Sequence, residues 1–197
     1  MNLIFATNNH HKLEEIKAVL PSAIAIKSLT EAGIQTDIPE TVNTLEGNAL
    51  LKANYIFDTY NQDCFADDSG LEVDALNNEP GVYSARYAGN PSNDNKNIDL
   101  LLKNMTGVEN RKARFRTVIA LIIKNDIHYF EGIVNGKISE ETRGIHGFGY
   151  DPVFIPDGYQ TTFAEMTSVE KNAISHRAIA VKKLTEFLES LSHLWKN

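Results

Sequence analysis

The sequence predicts an α/β fold built on a mixed sheet, and three observations carry that expectation. Short apolar runs at Leu3–Ala6 and Cys64–Ala66 have the length and composition of buried strands. Between and after them lie stretches whose apolar residues recur at helical spacing, as Leu13, Ile16 and Leu20 do. Two long strand-like runs, Ala113–Ile123 and Tyr129–Ile138, are parted only by a Lys124-Asn125-Asp126 turn. Interleaved helices and strands favour parallel pairing, and the long hairpin adds antiparallel pairing to it. With 197 residues the chain is one domain in length, long enough for a sizeable core.

Taken in order, Leu3–Ala6 is the first strand, and the polar stretch Thr7–His11 leads into a helix that stops at Pro21. Residues 23–27 read as a second strand. Leu29–Thr44, polar and carrying Gly33, Pro39 and Glu40, reads as an irregular loop. A helix from about Leu45 to Tyr60 follows, supported by the alanines and leucines of its first half. Cys64–Ala66 is the next strand, with Leu71–Val73 continuing it beyond a turn at Asp-Asp-Ser-Gly. Asn77–Gly81 is a turn by composition, and Asn93–Asn104 is helical from Ile98, Leu101 and Leu102. After the hairpin come a glycine-rich loop at Gly144–Tyr150, a short strand at Val153–Ile155 and a turn at Pro156-Asp157-Gly158. An amphipathic helix over Ala178–Leu191 closes the fold. There is no internal repeat or low-complexity tract.

A net charge of −7 disfavours a surface that attracts nucleic acid or an anionic membrane, and no basic stripe offsets it. No apolar stretch approaches the roughly 20 residues needed to cross a bilayer, and a cytoplasmic location is expected. The single cysteine, Cys64, excludes an internal disulfide and a cysteine-based zinc site, and its apolar neighbours mark it as a buried thiol.

The most informative stretch is Cys64-Phe65-Ala66-Asp67-Asp68-Ser69-Gly70-Leu71. Adjacent acids repel and lose hydration at the end of a buried run, so folding alone gives little reason for both. Two acids at a strand's carboxyl end suit a divalent cation or the activation of a water, whereas either acid alone also suits a turn cap. Thr7-Asn8-Asn9-His10-His11-Lys12 occupies the place of a phosphate loop without a glycine; a helix cap by Asn8 or Asn9 with a solvated Lys12 is the plainer alternative. Asn48 and Lys52 are four apart on one helix face, where Lys52 meets either a phosphate or an acid such as Glu46. Before and at the start of the last helix, Lys171, Ser175, His176 and Arg177 make either an anion site or a serine cap with two solvated side chains. Phe148, Gly149, Tyr150 and Asp151 combine glycine, aromatic faces and an acid, a set that can stack on a base and bind its edge or simply pack over the core.

The order of these blocks is distinctive. Thr-Asn-Asn-x-x-Lys, an acid eight residues before Asn-Ala-x-x-Lys-Ala, Ala-Asp-Asp-Ser-Gly-Leu, Ser-Ala-Arg-Tyr-Ala-Gly, Gly-Phe-Gly-Tyr-Asp-Pro and Glu-Lys-Asn-x-Ile-Ser-His-Arg run from Thr7 to Arg177. Together they resemble the inosine triphosphate pyrophosphatase family, the house-cleaning non-canonical purine nucleoside triphosphatases. The resemblance implies an elongated mixed sheet with flanking helices, two lobes and an active-site cleft between them. It also implies hydrolysis of ITP, dITP and XTP to the monophosphate and pyrophosphate, with Mg²⁺ as cofactor, in a homodimer. On this resemblance Asp68 is the general base and, with Glu40, a metal ligand. Thr7, Asn8, Asn9, His10, His11, Lys12, Lys52 and Ser69 fall on triphosphate positions. Phe148, Gly149, Tyr150, Asp151, Lys171, His176 and Arg177 fall on positions that contact substrate, largely around the base. Two positions depart from the family pattern: Asn8 stands where many relatives have glycine, and Val169 replaces one of an acidic pair before Lys171. A pyrophosphatase for pyrimidine triphosphates and a nucleotide sensor without turnover are the competing readings, and the intact acids Glu40 and Asp68 weigh against the sensor.

Overall fold

In the computed structural model, which describes residues 2–36 and 38–192, the strands form one six-stranded sheet in the order β2-β1-β3-β4-β5-β6. Its elements are β1 (Asn2–Phe5), α1 (His10–Val19), β2 (Ala25–Ser28), α2 (Leu45–Tyr60), β3 (Cys64–Val73), α3 (Asp94–Asn104), β4 (Lys112–Ile123), β5 (Asp126–Ile138), β6 (Phe154–Pro156), α4 (Ser168–Ile174) and α5 (His176–Ser192). The strand β1 pairs in parallel with β2 and β3, in register Ile4↔Cys64 and Phe5↔Phe65, whereas β5 and β6 are antiparallel. The mixed α/β class expected from the sequence is therefore the observed one. Lys124 and Asn125 both have positive φ (51° and 69°), the conformation of a two-residue hairpin turn that matches strand twist.

The chain divides into two compact units. The first comprises the residues up to Asp68, Thr117–Gly132 and the residues from Arg177 onward; the second comprises Ser69–Arg116 and Ile133–His176. In the first unit the strand residues sort by parity. Ile4, Ala6, Cys64, Ala66, Ala120 and Ile122 join Ala49, Ala53 and Ile56 of α2 in one apolar cluster. Leu3, Phe5, Phe65, Ile119 and Leu121 join Ile16 of α1 and Val181, Leu184 and Leu188 of α5 in another. The alternation follows from the period of two along a strand, so α2 covers one face and α1 with α5 the other. Phe5 and Phe65, in register, stack at 4.7 Å. The second unit packs Leu71 and Val73 with Leu101, Phe115, Phe154 and Phe163.

One expectation is corrected, and one element had no sequence reading. The Asp-Asp-Ser-Gly signal marks no turn: β3 runs unbroken through it as a ten-residue strand. Gly70 is there for close approach, because a Cβ at that position would lie 2.4 Å from the Gly81 carbonyl oxygen. The Ser84 hydroxyl accepts from Leu71 N–H and donates to the same Gly81 carbonyl, which ties that segment to the strand. The helix α4 was not expected. Its signal is a capping box in which Thr167 Oγ1 accepts from Glu170 N–H and the Glu170 carboxylate accepts from Thr167 N–H.

Cys64 is fully buried, as expected, and its thiol donates to the Ala53 carbonyl. Burial pushes its pKa up to about 12, so the thiolate is absent at neutral pH. The folded protein should therefore resist a disulfide reagent at pH 8 and react only on unfolding, as thiol-release kinetics with and without denaturant would show. Gly70→Ala should destabilise by about 1–3 kcal/mol in urea unfolding, because the obstructing atoms are backbone.

Candidate active site

In the first unit, β1 delivers Thr7, Asn8 and Asn9 to the start of α1. Asn9 caps that helix, accepting from Lys12 N–H at 3.1 Å, while Thr7 Oγ1 accepts from Asn9 N–H. Asn8 donates to the Thr36 carbonyl, and His10 and His11 are exposed on the first helical turn. The asparagine cap is thus as the sequence allowed, but Lys12 is not solvated: its Nζ lies 3.1 Å from both oxygens of Asp67.

Asp67 and Asp68 occupy adjacent positions of β3, so their side chains leave opposite faces of the sheet. Asp67 shares the parity of Phe65 and meets α1 and α5, pairing with Lys12 and, at 3.3 Å, with Arg177 Nε. Arg177 also pairs with Glu15 of α1 and is 2% exposed. Burial by itself would raise the Asp67 pKa, but Lys12, Arg177 and Lys52 together outweigh it and hold the carboxyl well below the usual range. Burial, with Lys52 and Arg177 nearby, lowers the Lys12 pKa against the pull of Asp67.

Asp68 shares the parity of Cys64 and Ala66 and meets α2. Its Oδ2 accepts from Asn48 Nδ2 at 3.0 Å, and Asn48 Oδ1 is fixed by Val42 N–H. Burial raises the Asp68 pKa and Glu40 adds repulsion, which the charges of Lys52 and Lys12 and the Asn48 hydrogen bond only partly offset. One turn along α2 from Asn48, Lys52 donates to Glu40 Oε1 and to the Asp67 carbonyl, each at 2.7 Å. Burial disfavours its charge, yet Asp68, Glu40 and Asp67 leave its pKa raised. The shared face of Asn48 and Lys52 read from the sequence is real. An acid that meets Lys52 is Glu40.

In the second unit, Ser69 is half-buried on β3, and the glycine-rich loop folds around Asp151. The Asp151 Oδ2 accepts from Lys171 Nζ at 2.5 Å and from Phe148 N–H at 2.9 Å. A Cβ on Gly147 would lie 2.0 Å from that oxygen, so only glycine fits the turn. The Lys171 ammonium sits over the rings of Phe148 (5.1 Å) and Phe163 (5.7 Å), and Phe148 itself is half-buried. Tyr150 belongs to the core: 3% exposed, it donates its hydroxyl to the Ser84 carbonyl, and burial raises its pKa. His176 is 4% exposed and stacks on Phe115 at 4.6 Å. Neither His176 nor Arg177 is a solvated side chain, since both open α5 and point into packed interior.

Sequence reasoning missed Glu15, three residues after Lys12 and so on the same side of α1. It also missed Asp94, which accepts from Gly149 N–H at 2.7 Å. No local signal marks Glu15, because its partner is 162 residues away in the chain.

Among known proteins, a profile of the Ham1 family matches residues 3–187. A dITP/XTP pyrophosphatase of Flavobacterium psychrophilum is 53% identical, over 96% of this chain and all of that protein. A dITP/XTP pyrophosphatase of Porphyromonas gingivalis is 56% identical over 94% and 96%. The structure of the Staphylococcus aureus Ham1 protein is similar at a TM-score of 0.88 and 38% identity, covering 96% of this chain and 99% of that one. That of a HAM1 protein from Coxiella burnetii gives 0.89 and 37%, with the same coverage. No helix among the described residues is long and apolar enough to cross a membrane. The resemblance read from the six sequence blocks is borne out, and the chain belongs to the Ham1 family.

Proposed function

We propose that this protein hydrolyses ITP, dITP and XTP to the nucleoside monophosphate and pyrophosphate, with Asp68 as general base. The observation that carries this is the division of the acid pair. Asp67 is held ionised between Lys12 and Arg177, while Asp68 is left basic, fixed by a neutral amide and repelled by Glu40. A carboxylate of raised pKa is the better proton acceptor, and its relatives' names supply the substrate class.

The donors fit Mg²⁺. Glu40 and Asp68 are hard oxygen ligands whose mutual repulsion a divalent cation relieves, and Mg²⁺ is commonly held by one or two carboxylates together with substrate phosphates. When bound there, the ion would neutralise charge on the triphosphate.

Asp68 takes a proton from water as the oxygen attacks the α-phosphorus, and the bond from that phosphorus to the bridging oxygen breaks. Lys12 and Lys52, with the N–H groups and side chains of Thr7–His11 and Ser69, supply positive charge and donors to the phosphates as pyrophosphate leaves. Phe148–Asp151, Lys171 and His176 serve the base, Tyr150 by anchoring the loop. Arg177 serves the substrate indirectly, by holding Asp67 and Glu15. Donors matched to a 6-oxo purine are left unpaired by the amino group of adenine, which gives selectivity. A homodimer in the cytoplasm belongs to the same proposal.

The test is pyrophosphate release from dITP, XTP, dATP, dTTP and UTP with Mg²⁺. The proposal expects turnover of dITP and XTP well above the others; preference for a pyrimidine, or tight ITP binding without turnover, would reject it. Asp68→Asn should reduce kcat roughly a thousandfold with an unchanged circular dichroism spectrum, and near-normal turnover would remove Asp68 as the base. Chelating the divalent cation should abolish activity, and readdition of Mg²⁺ should restore it.

A further inference from the structure

We propose that Asp94 is a positioning residue for the loop Gly147–Asp151, setting affinity for the nucleoside part of the substrate. The inference rests on the base-binding role proposed above for that loop. Contacts within the second unit hold the loop at successive residues. Within the loop the Asp151 carboxylate, itself bound by Lys171, accepts from Phe148 N–H. From outside it, Asp94 Oδ2 accepts from Gly149 N–H at 2.7 Å, and Tyr150 donates to the Ser84 carbonyl at 2.8 Å. Gly149 has φ +59°, a left-handed conformation that turns the backbone locally between the two aromatic residues. The half-buried Phe148 ring is thus tethered through both peptide units that flank it.

Asp94 is well placed for this task because its own element is fixed. It is the first residue of α3, where an acidic side chain is favoured by the helix dipole, and Asn93 caps the helix by accepting from Lys96 N–H. Asn97, one turn on, accepts from Ala88 N–H and donates to the Ala85 carbonyl. These bonds tie α3 to the Ser-Ala-Arg-Tyr-Ala-Gly segment, Ser84–Gly89, which also supplies the carbonyl for Tyr150. That segment, prominent in the sequence and without an assigned chemical role, becomes the frame on which the loop is mounted. A carboxylate oxygen accepting from a backbone N–H at 2.7 Å rigidifies the loop without touching the reacting phosphorus. The effect belongs in binding rather than in the chemical step.

The experiment compares wild type, Asp94→Ala, Asp94→Asn and Asn93→Ala by dITP kinetics and by hydrogen exchange at the Gly149 amide. Asp94→Ala should raise KM about five- to tenfold with kcat nearly unchanged, and should speed Gly149 exchange. Asp94→Asn, which keeps an acceptor oxygen, should recover most of the affinity. Asn93→Ala removes the cap of the same helix; it should lower Tm while KM stays at the wild-type value, separating positioning from helix stability. A KM for Asp94→Ala within twofold of wild type, an equal rise in Asn93→Ala, or unchanged Gly149 exchange would overturn the proposal. Absence of dITP turnover by the wild type would instead reject the proposed function, and the exchange measurement, made without substrate, would still decide whether Asp94 holds the loop.

Discussion

The pleat of β3 through Asp67 and Asp68 is the constraint on which the rest of the candidate site depends. Because β3 does not turn, two neighbouring carboxylates leave a packed sheet on opposite faces. One face is covered by α1 and α5 and the other by α2, and each acid takes its partners from the helices it meets. The chemistry of each carboxyl is therefore fixed by parity along the strand. Moving the register by one residue would exchange their environments.

On the α1 and α5 face, Asp67 is an internal counter-ion. It brings Lys12 and Arg177 to one point, and Arg177 extends the network to Glu15. Buried cations so close together repel one another, and the Asp67 charge is what lets them share the space. On the α2 face the balance is reversed, since Asp68 and Glu40 are like charges and Lys52 mediates between them. Lys52 also grips the Asp67 carbonyl, so the same ammonium fixes the backbone at the division between the two acids. The second unit repeats the device at Asp151, whose charge holds Lys171 against two aromatic rings while organising the loop.

Periodicity made most of the fold legible. The helix over Leu45–Tyr60 matches α2 residue for residue, and the turn at Lys124–Asn125 lies where composition placed it. The mistakes came where a residue type has two uses. Ser69-Gly70 carries the composition of a turn, but Gly70 serves a close backbone approach that only the fold reveals. The short α4 has too few apolar residues to show a period, although its Thr167–Glu170 capping box was readable. At the site, the acids and lysines stood out as types, whereas their pairings did not. Asp67 and Lys12 are 55 residues apart, and Asp67 and Arg177 are 110 apart. Solvated lysine and arginine side chains are the common case, and only a buried counter-ion from a distant strand makes Lys12 and Arg177 exceptions.

The central claim is that Asp67 stabilises the fold while Asp68 is held at its expense for chemistry. Urea unfolding of Asp67→Asn and Asp68→Asn at pH 7 tests it most directly. The Asp67 pKa is depressed by folding, so its charge contributes stability at every pH above its unfolded value; the Asp68 pKa is raised, so its charge opposes folding there. Asp67→Asn should lose about 3–5 kcal/mol, the range for breaking a buried ion pair from one side. Asp68→Asn keeps an acceptor for Asn48 and should be neutral or stabilising. A loss in Asp68→Asn equal to or larger than that in Asp67→Asn would contradict the division of roles.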